Sequence, residues 1–358
     1  MKMRLICYVL IALPVMVYSQ HTKKIVVSDV QRIARVTGKS LPDETIPNPN
    51  LTDVKYDIGG TDLGISWIMG NRSNGFFFGD TYGKDWKLSN EGGPGTAGNW
   101  RSNVLGISKD TDLENGVAFD SMVSKEIIPS GKVTDGTGSH TTIPTAAIHA
   151  NGKEYVHYME IRKWGSPGSW TTNYSGLYKS TTNGLSWLKC EGVSFLATSN
   201  FAQVAYGKKD GYVYMIGTKS GRWGGAYLAR FKEKDMEKQS EYEYWNKVNG
   251  WVKGEELKAD VIIDAPLGEM SLMYHTKYKR WLLTYLNEKK AELVLRDATV
   301  ITGLWSEEQT LVKGANYPGL YGAFIYPAKT NSDQLYFMMS MWRPYNVFLM
   351  KATIKFAK

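Results

Sequence analysis

Cysteine is almost missing from this chain. Of its two cysteines, Cys7 lies in an apolar leader and Cys190 stands alone in the remainder, so no internal disulfide can form once the leader is gone. Stability must come from packing. Helical periodicity is equally scarce, while strand signals recur along the whole length. No run of Lys and Arg interleaved with aromatics occurs, which removes the usual footprint of a nucleic-acid partner. No His, Cys and carboxylate group has metal-ligand spacing, and no metal or cofactor is expected, although a structural cation in a central channel stays open. Neither Cys190 nor the scattered serines form a nucleophile elbow or a triad.

Long apolar runs are also missing, except at the start. "MKMRLICYVLIALPVMVYS" has a short basic beginning, an apolar stretch and small residues Val17 and Ser19, the pattern of a secretory signal cut after Ser19. An uncleaved anchor would need a longer apolar run. The expectation is therefore a signal peptide at 1–19 and one catalytic domain at 20–358, secreted or periplasmic, free of the membrane after cleavage, and monomeric. Losing Lys2 and Arg4 lowers the formal charge from +8 to +6, enough for solubility. What is abundant is aromatic and turn-forming: 12 Trp, 22 Tyr and 36 Gly describe a turn-rich β protein. Flat aromatic faces stack on sugar rings, but they also fill β cores.

The strongest strands repeat. "FFFGDT" (76–81), "YVHYME" (155–160), "YVYMIG" (212–217), "WLLTYL" (281–286) and "LYFMMS" (335–340) each follow a tight turn. Each is flanked by a strand on either side, such as "LGISWI" before the first and "NVLGIS" after it. Meanders of this kind, spaced by roughly 55 to 80 residues, predict an all-β, five-bladed β-propeller. A two-sheet sandwich would not explain the repetition. "GLSWLKC" (184–190) reads as an outer fourth strand, and "STTNGLSW" as a structural hairpin whose Trp packs between sheets. The last copy ends too early for its own fourth strand, so "VQRIARVT" (30–37) is expected to close the last blade.

In such meanders the start of the first strand, the end of the second and the start of the third share one edge. Polar residues concentrate there. Asp62, Gln203, Glu269 and Tyr321 stand at first-strand starts, with Tyr317 just upstream of the last. Asp80, Glu160, Arg162, Trp164, Arg222, Trp223, Asn287 and Trp342 follow second strands, and Arg101 and Asn103 precede a third. Asp62 and Asp80 share one hairpin, beside Gly64 and Gly79, which leave room for close approach. A simple register offsets the two aspartates by roughly three residues, about 10 Å. Paired carboxylates are the equipment of glycoside hydrolysis, although an aspartate at a strand end is more commonly a turn former. Glu269, entering an apolar strand directly, is expected either to pair with an arginine or to hold a proton.

These segments resemble a known family. "GTDLGISW", "FFFGDTYG", "WRSNVLGIS", "YVHYMEIRKWGSPGSW", "GEMSLMY", "RWLLTYLNE" and "YPGLYGAFIYP" are similar to the secreted bacterial endo-D-arabinanases, long catalogued as a domain of unknown function. The resemblance runs in order from about Val36 to the end. It implies a propeller glycoside hydrolase cutting internally in the α-D-arabinofuranan of arabinogalactan and lipoarabinomannan. It puts the catalytic aspartates on Asp62 and Asp80, with Glu269 as a third candidate. Glu160 in "YMEIRKW" departs from the pattern and either retunes a subsite or is itself a catalytic carboxylate. The leading expectation makes Asp62 the base or nucleophile and Asp80 or Glu269 the acid. Arg101, Asn103, Glu160, Arg162, Trp164, Gln203, Arg222, Trp223, Asn287, Tyr317, Tyr321 and Trp342 would bind the polysaccharide. Two alternatives stay open: a sialidase-like hydrolase using Arg101, Arg162, Arg222 and Arg343 on an acidic sugar, and a glycan-binding propeller without catalysis.

Overall fold

The computed structural model describes residues 23–94 and 98–357, so the expected leader at 1–19 lies outside the described residues. Five antiparallel sheets stand around a channel, and the expected five-bladed β-propeller is borne out. Blade 1 runs Leu63–Ile68, Asn74–Phe78, Val104–Ser108 and Ser121–Val123 from the axis outward, and blade 2 runs Thr141–Ala150, Lys153–Trp164, Trp170–Ser180 and Leu188–Leu196. Blade 3 runs Gln203–Lys209, Tyr212–Thr218, Gly224–Lys232 and Glu243–Asn246, with Gly250–Lys253 added outside. Blade 4 runs Met270–His275, Arg280–Asn287, Glu292–Ala298 and Gln309–Lys313. Blade 5 has only Leu320–Ile325, Gln334–Met341 and Asn346–Phe356 of its own.

Its fourth strand is Ile25–Arg35, which pairs antiparallel with Asn346–Phe356 from Ile25 opposite Phe356 to Arg35 opposite Phe348. This is the expected closure, begun earlier in the chain than the apolar pattern at 30–37 suggested. One boundary needs correcting. The outer strand of blade 2 begins at Leu188, because Gly184 takes a left-handed φ of 83° and keeps "GLSW" in the turn. Trp187 still packs between sheets, edge-on to Phe77 of blade 1 at 5.1 Å.

The strands read as nearly continuous apolar runs because each sheet is covered on both faces by neighbouring blades. One buried cluster joins blades 4, 5, 1 and 2, including Phe76, Phe77, Phe78, Phe337 and Met338. Two smaller ones fill the gaps between blades 2 and 3 and between blades 3 and 4. Cys190 is in the former, its thiol pushed up to about 12 by burial and so unreactive.

Turn chemistry separates the two ends of the channel. Asn151–Gly152 and Asp210–Gly211 have positive φ at both positions, the tight hairpin that Asn-Gly and Asp-Gly favour. At the other end the inner strands are irregular. Register shifts interrupt Leu63/Ile65 in blade 1, Pro144/Ala146 in blade 2 and Tyr321/Phe324 in blade 5. Such bulges re-aim the side chains beside them. Beside two of these shifts, Asp62 and Tyr321 meet through a hydrogen bond at the channel mouth.

Candidate functional site

Asp62 immediately precedes the inner strand of blade 1, and Asp80 follows the second. The bulge, with Leu63 and Gly64 at φ of 69° and 86°, takes up the register between them. Gly79 N–H donates to the Asp62 carbonyl at 3.2 Å, so Asp80 is offset by one residue, about 3.4 Å of strand rise, and not by three. The glycines serve differently than expected. A Cβ on Gly79 would lie 2.3 Å from Asp62 Oδ1, so its space belongs to the aspartate itself. Gly64 supplies the left-handed bulge residue.

The two carboxyls are held unequally. Tyr321 donates its hydroxyl proton to Asp62 Oδ2 at 3.0 Å, while Oδ1 is buried without a hydrogen-bond partner among the described residues. Burial, then the neighbouring Asp80 carboxylate, pushes the Asp62 carboxyl up to about 8. Asp80 is better satisfied: its Oδ1 accepts from Trp100 Nε1 at 2.8 Å and Thr141 Oγ1 at 2.5 Å. Burial still raises it to about 6, against those two bonds and the charge of Lys132.

Both aspartates open into a cavity of about 500 Å³ at the channel mouth. Its walls include Tyr82, His140, Trp164, Trp170, Tyr321, Trp342 and Tyr345. Tyr82 stacks on Trp100 with ring planes 5° apart, and His140 meets Trp100 edge-on at 5.6 Å. Burial and Lys132 hold the His140 imidazole below its ordinary range. Arg222 is the cation of the cavity wall. It donates to Glu269 Oε1 from Nη2 at 2.8 Å and Nε at 3.1 Å, and from Nη1 to Glu288 Oε2 at 3.2 Å. Its guanidinium lies over the Tyr321 ring at 5.3 Å. A second cavity of about 510 Å³ shares Trp164, Trp170, Arg222, Tyr321 and Trp342 with the first, so the site continues as a trough past Gly168 and Glu288.

Of the residues nominated from sequence, Asp62, Asp80, Glu269, Trp164, Gln203, Arg222, Tyr321 and Trp342 meet in this cavity. The others stand elsewhere. Arg101 donates to the backbone carbonyls of Asn99, Ser124 and Asp57, and the buried Asn103 joins those of Ile128 and Thr142. Both precede a third strand, one strand too far from the axis, and hold loops together. Glu160 accepts from Asn173, Arg162 donates to the Gly136 carbonyl, and Asn287 donates to Glu308. Tyr317 lies under Arg32 and against the core, and Trp223 is half exposed beside Gly168 without lining either cavity. Sequence reasoning passed over Tyr82, Trp100, His140, Thr141, Trp170 and Tyr345. His140 had a signal: it precedes its inner strand as Asp62 and Glu269 precede theirs. The strand begins at Thr141, four residues before the apolar run suggested, which hid the equivalence.

Among the described residues no three His, Cys, Asp or Glu side chains gather as metal ligands. The cavity can instead position two carboxyls of unequal proton affinity against a ligand with flat apolar faces.

A family model described as a domain of unknown function (DUF4185) matches residues 47–351. Two curated relatives are Notoamide biosynthesis cluster protein J of Aspergillus sp. (strain MF297-2) and protein J' of Aspergillus versicolor. Each is 30% identical, over 313 and 308 residues, covering 80% of this chain and 81% and 82% of theirs. Among solved structures, a Bacteroides ovatus protein provisionally described as a hydrolase aligns with a TM-score of 0.57 at 12% identity, over 83% of this chain and 86% of its own. A family 117 glycoside hydrolase produced by Zobellia galactanivorans aligns with a TM-score of 0.51 at 11% identity, over 93% and 90%. At such identities the likeness is one of fold, and chemistry has to be argued from the site.

Proposed function

The chain belongs to the DUF4185 family, and on that premise we propose that it is an exported glycoside hydrolase that cuts α-D-arabinofuranosyl linkages within D-arabinan. One observation carries the reading: Asp62 and Asp80, one residue out of register on adjacent strands, face one cavity with affinities for a proton pushed to about 8 and about 6. Environments that separate two carboxyls in this way suit one to give a proton and the other to act as an anion. Asp62 then protonates the leaving glycosidic oxygen. Asp80, its Oδ1 anchored by Trp100 and Thr141, acts through Oδ2 on the anomeric carbon or on a water that attacks it. This exchanges the roles expected from sequence, where Asp62 was the base or nucleophile and Asp80 or Glu269 the acid.

The motifs and the cavity support this choice of polymer. Arg222 is already engaged by Glu269 and Glu288, which leaves the wall with surplus carboxylate and disfavours acidic sugars. The arginines required for a sialidase-like site do not converge: Arg101 and Arg162 bind backbone, and Arg343 caps the Asn90 carbonyl. A trough formed by two cavities that share a wall suits a chain longer than one sugar, hence internal cleavage. The Aspergillus relatives are named for a biosynthesis cluster, a name that specifies no bond. The leader at 1–19 supports export, and a single catalytic domain acting as a monomer is part of the same proposal.

The test is chromatography of products from D-arabinan and L-arabinan, with wild type beside Asp62→Asn. Oligomers from D-arabinan alone, absent with the variant, are expected. Binding of D-arabinan without any release of oligomers by wild type would establish the glycan-binding reading instead.

A further inference from the structure

Glu269 has one more oxygen than its partners use. It immediately precedes the inner strand Met270–His275, is 9% exposed, and lines the cavity beside Asp62. Its Oε1 takes both Arg222 contacts, at 2.8 and 3.1 Å. Oε2 is buried and has no hydrogen-bond partner among the described residues. A buried acceptor left without a donor is expensive, and more so when it carries charge. The Tyr321 hydroxyl goes to Asp62 and Arg222 Nη1 goes to Glu288, while Gln203 Nε2 and Trp170 Nε1, which line the same cavity, are themselves buried without a partner among the described residues and make no bond to Oε2. Acceptor and donors stand unpaired around one cavity, the pattern that a ligand carrying both hydroxyl hydrogens and hydroxyl oxygens would satisfy.

We propose that Glu269 Oε2 accepts a hydrogen bond from a ring or exocyclic hydroxyl of the sugar seated against Asp62, making Glu269 a specificity-determining residue and not the acid catalyst. The inference rests on the glycoside hydrolase reading and deepens it. Arg222 fixes the carboxylate from one side, and its guanidinium lies over the Tyr321 ring whose hydroxyl holds Asp62. The hydroxyl acceptor and the proton donor are thereby tied to one scaffold. A sugar with the wrong hydroxyl configuration leaves Oε2 unpaired again, and such a site rejects a ligand lacking the group more strongly than a merely apolar wall rejects a misfit.

The experiment measures kcat/KM on an aryl glycoside of an α-D-arabinofuranosyl oligomer and on deoxy analogues that each lack one hydroxyl of the sugar bearing the aryl group, for wild type, Glu269→Ala and Glu269→Gln. Wild type is expected to lose about 10- to 100-fold on one of the deoxy sugars. Glu269→Ala should lose a similar factor on the full sugar and show no further loss on that analogue. The ratio between sugars cancels any loss of folded protein and the intrinsic effect of deoxygenation. Glu269→Gln, which keeps the shape and a neutral acceptor, should give an intermediate ratio. Ratios unchanged from wild type in both variants overturn the inference and leave the hydrolase reading standing. A wild type inert on every furanoside and on D-arabinan sinks that reading and this inference with it.

Discussion

The two mouths of the channel are framed by the same five inner strands, and Thr145 and Phe324 line both. They differ in everything else. One holds Asp62, Asp80, Glu269 and Arg222 between aromatic walls. The other is lined mainly by Ile65, Ile68, Ala146, Ile148, Leu272 and Met273, with Lys208 at its rim. Connections account for the contrast. Tight turns such as 151–152 and 210–211 close the far mouth and have too few residues to reach the axis. Residues within 80–94 and Gly165, from longer connections, line the site mouth together with the bulged strand starts. A propeller strand thus carries chemistry at one end and packing at the other, and the loops decide which.

The sharpest way to break this contrast is to remove the charge of one carboxylate at the site mouth. Asp80→Asn keeps an oxygen that can still accept from Trp100 and Thr141, so the fold should persist. Hydrolysis of D-arabinan should fall by roughly 10³-fold or more, the scale expected for a lost nucleophile or base. Rates from initial velocities, beside an unchanged circular dichroism spectrum, check this. Activity within tenfold of wild type would move the chemistry away from Asp80.

Next in size is Gly79→Ala. The new methyl group would occupy the place of Asp62 Oδ1, 2.3 Å away, and must displace it. Displacing a reacting group by about 1 Å can cost about 100-fold in rate, and that loss in kcat is expected here. The same substitution at the far mouth is the control. Gly152 has nothing within 4 Å of a new Cβ, but its φ of 71° strains alanine. Gly152→Ala should lower stability by about 1 kcal/mol and leave kcat alone.

How far the sequence could be read follows the same division. The meanders were legible because turns such as Asn151–Gly152 and Asp210–Gly211 punctuate apolar runs that neighbouring blades cover. The aspartate pair was legible through its motifs. Its separation was not, because the bulge at Leu63 and Gly64 changes a register that counting residues takes as regular. Arg101 and Asn103 were nominated from the correct edge but lie one strand too far out, since linear position along a blade carries no radial distance. Trp223 and Trp342 look alike in sequence. Only Trp342 reaches the cavity, packed beneath the backbone of Gly92 and Gly93.

Acidity separates the mouths more gently. Asp62 and Asp80 have folded values of about 8 and about 6, above the ordinary 3.8, so the folded chain binds their protons more tightly than the unfolded one. Their contribution to stability is complete below about pH 4 and is lost as pH rises through about 6 and then about 8. Asp62→Asn should therefore match wild type in Tm at pH 4 and exceed it by roughly 2–4 °C at pH 9. Activity should rise through about pH 6 as Asp80 ionises and fall through about pH 8 as Asp62 loses its proton. A Tm difference at pH 4 equal to that at pH 9 would remove the linkage.

The smallest expected effect lies at the far mouth. Lys208 stands at its rim, paired with Glu233 at 3.2 Å and solvent-accessible, where such a pair contributes less than about 1 kcal/mol. Lys208→Ala should leave kcat/KM on D-arabinan within about twofold of wild type and Tm within a degree or so. The result matters because a polysaccharide that threaded the channel would pass this rim. Thr145 and Phe324 line both cavities, so the two mouths are neighbours along the axis. A clear rise in KM for long chains, with short oligomers unaffected, would mean that substrate reaches through, and the two mouths would then have to be treated as one site.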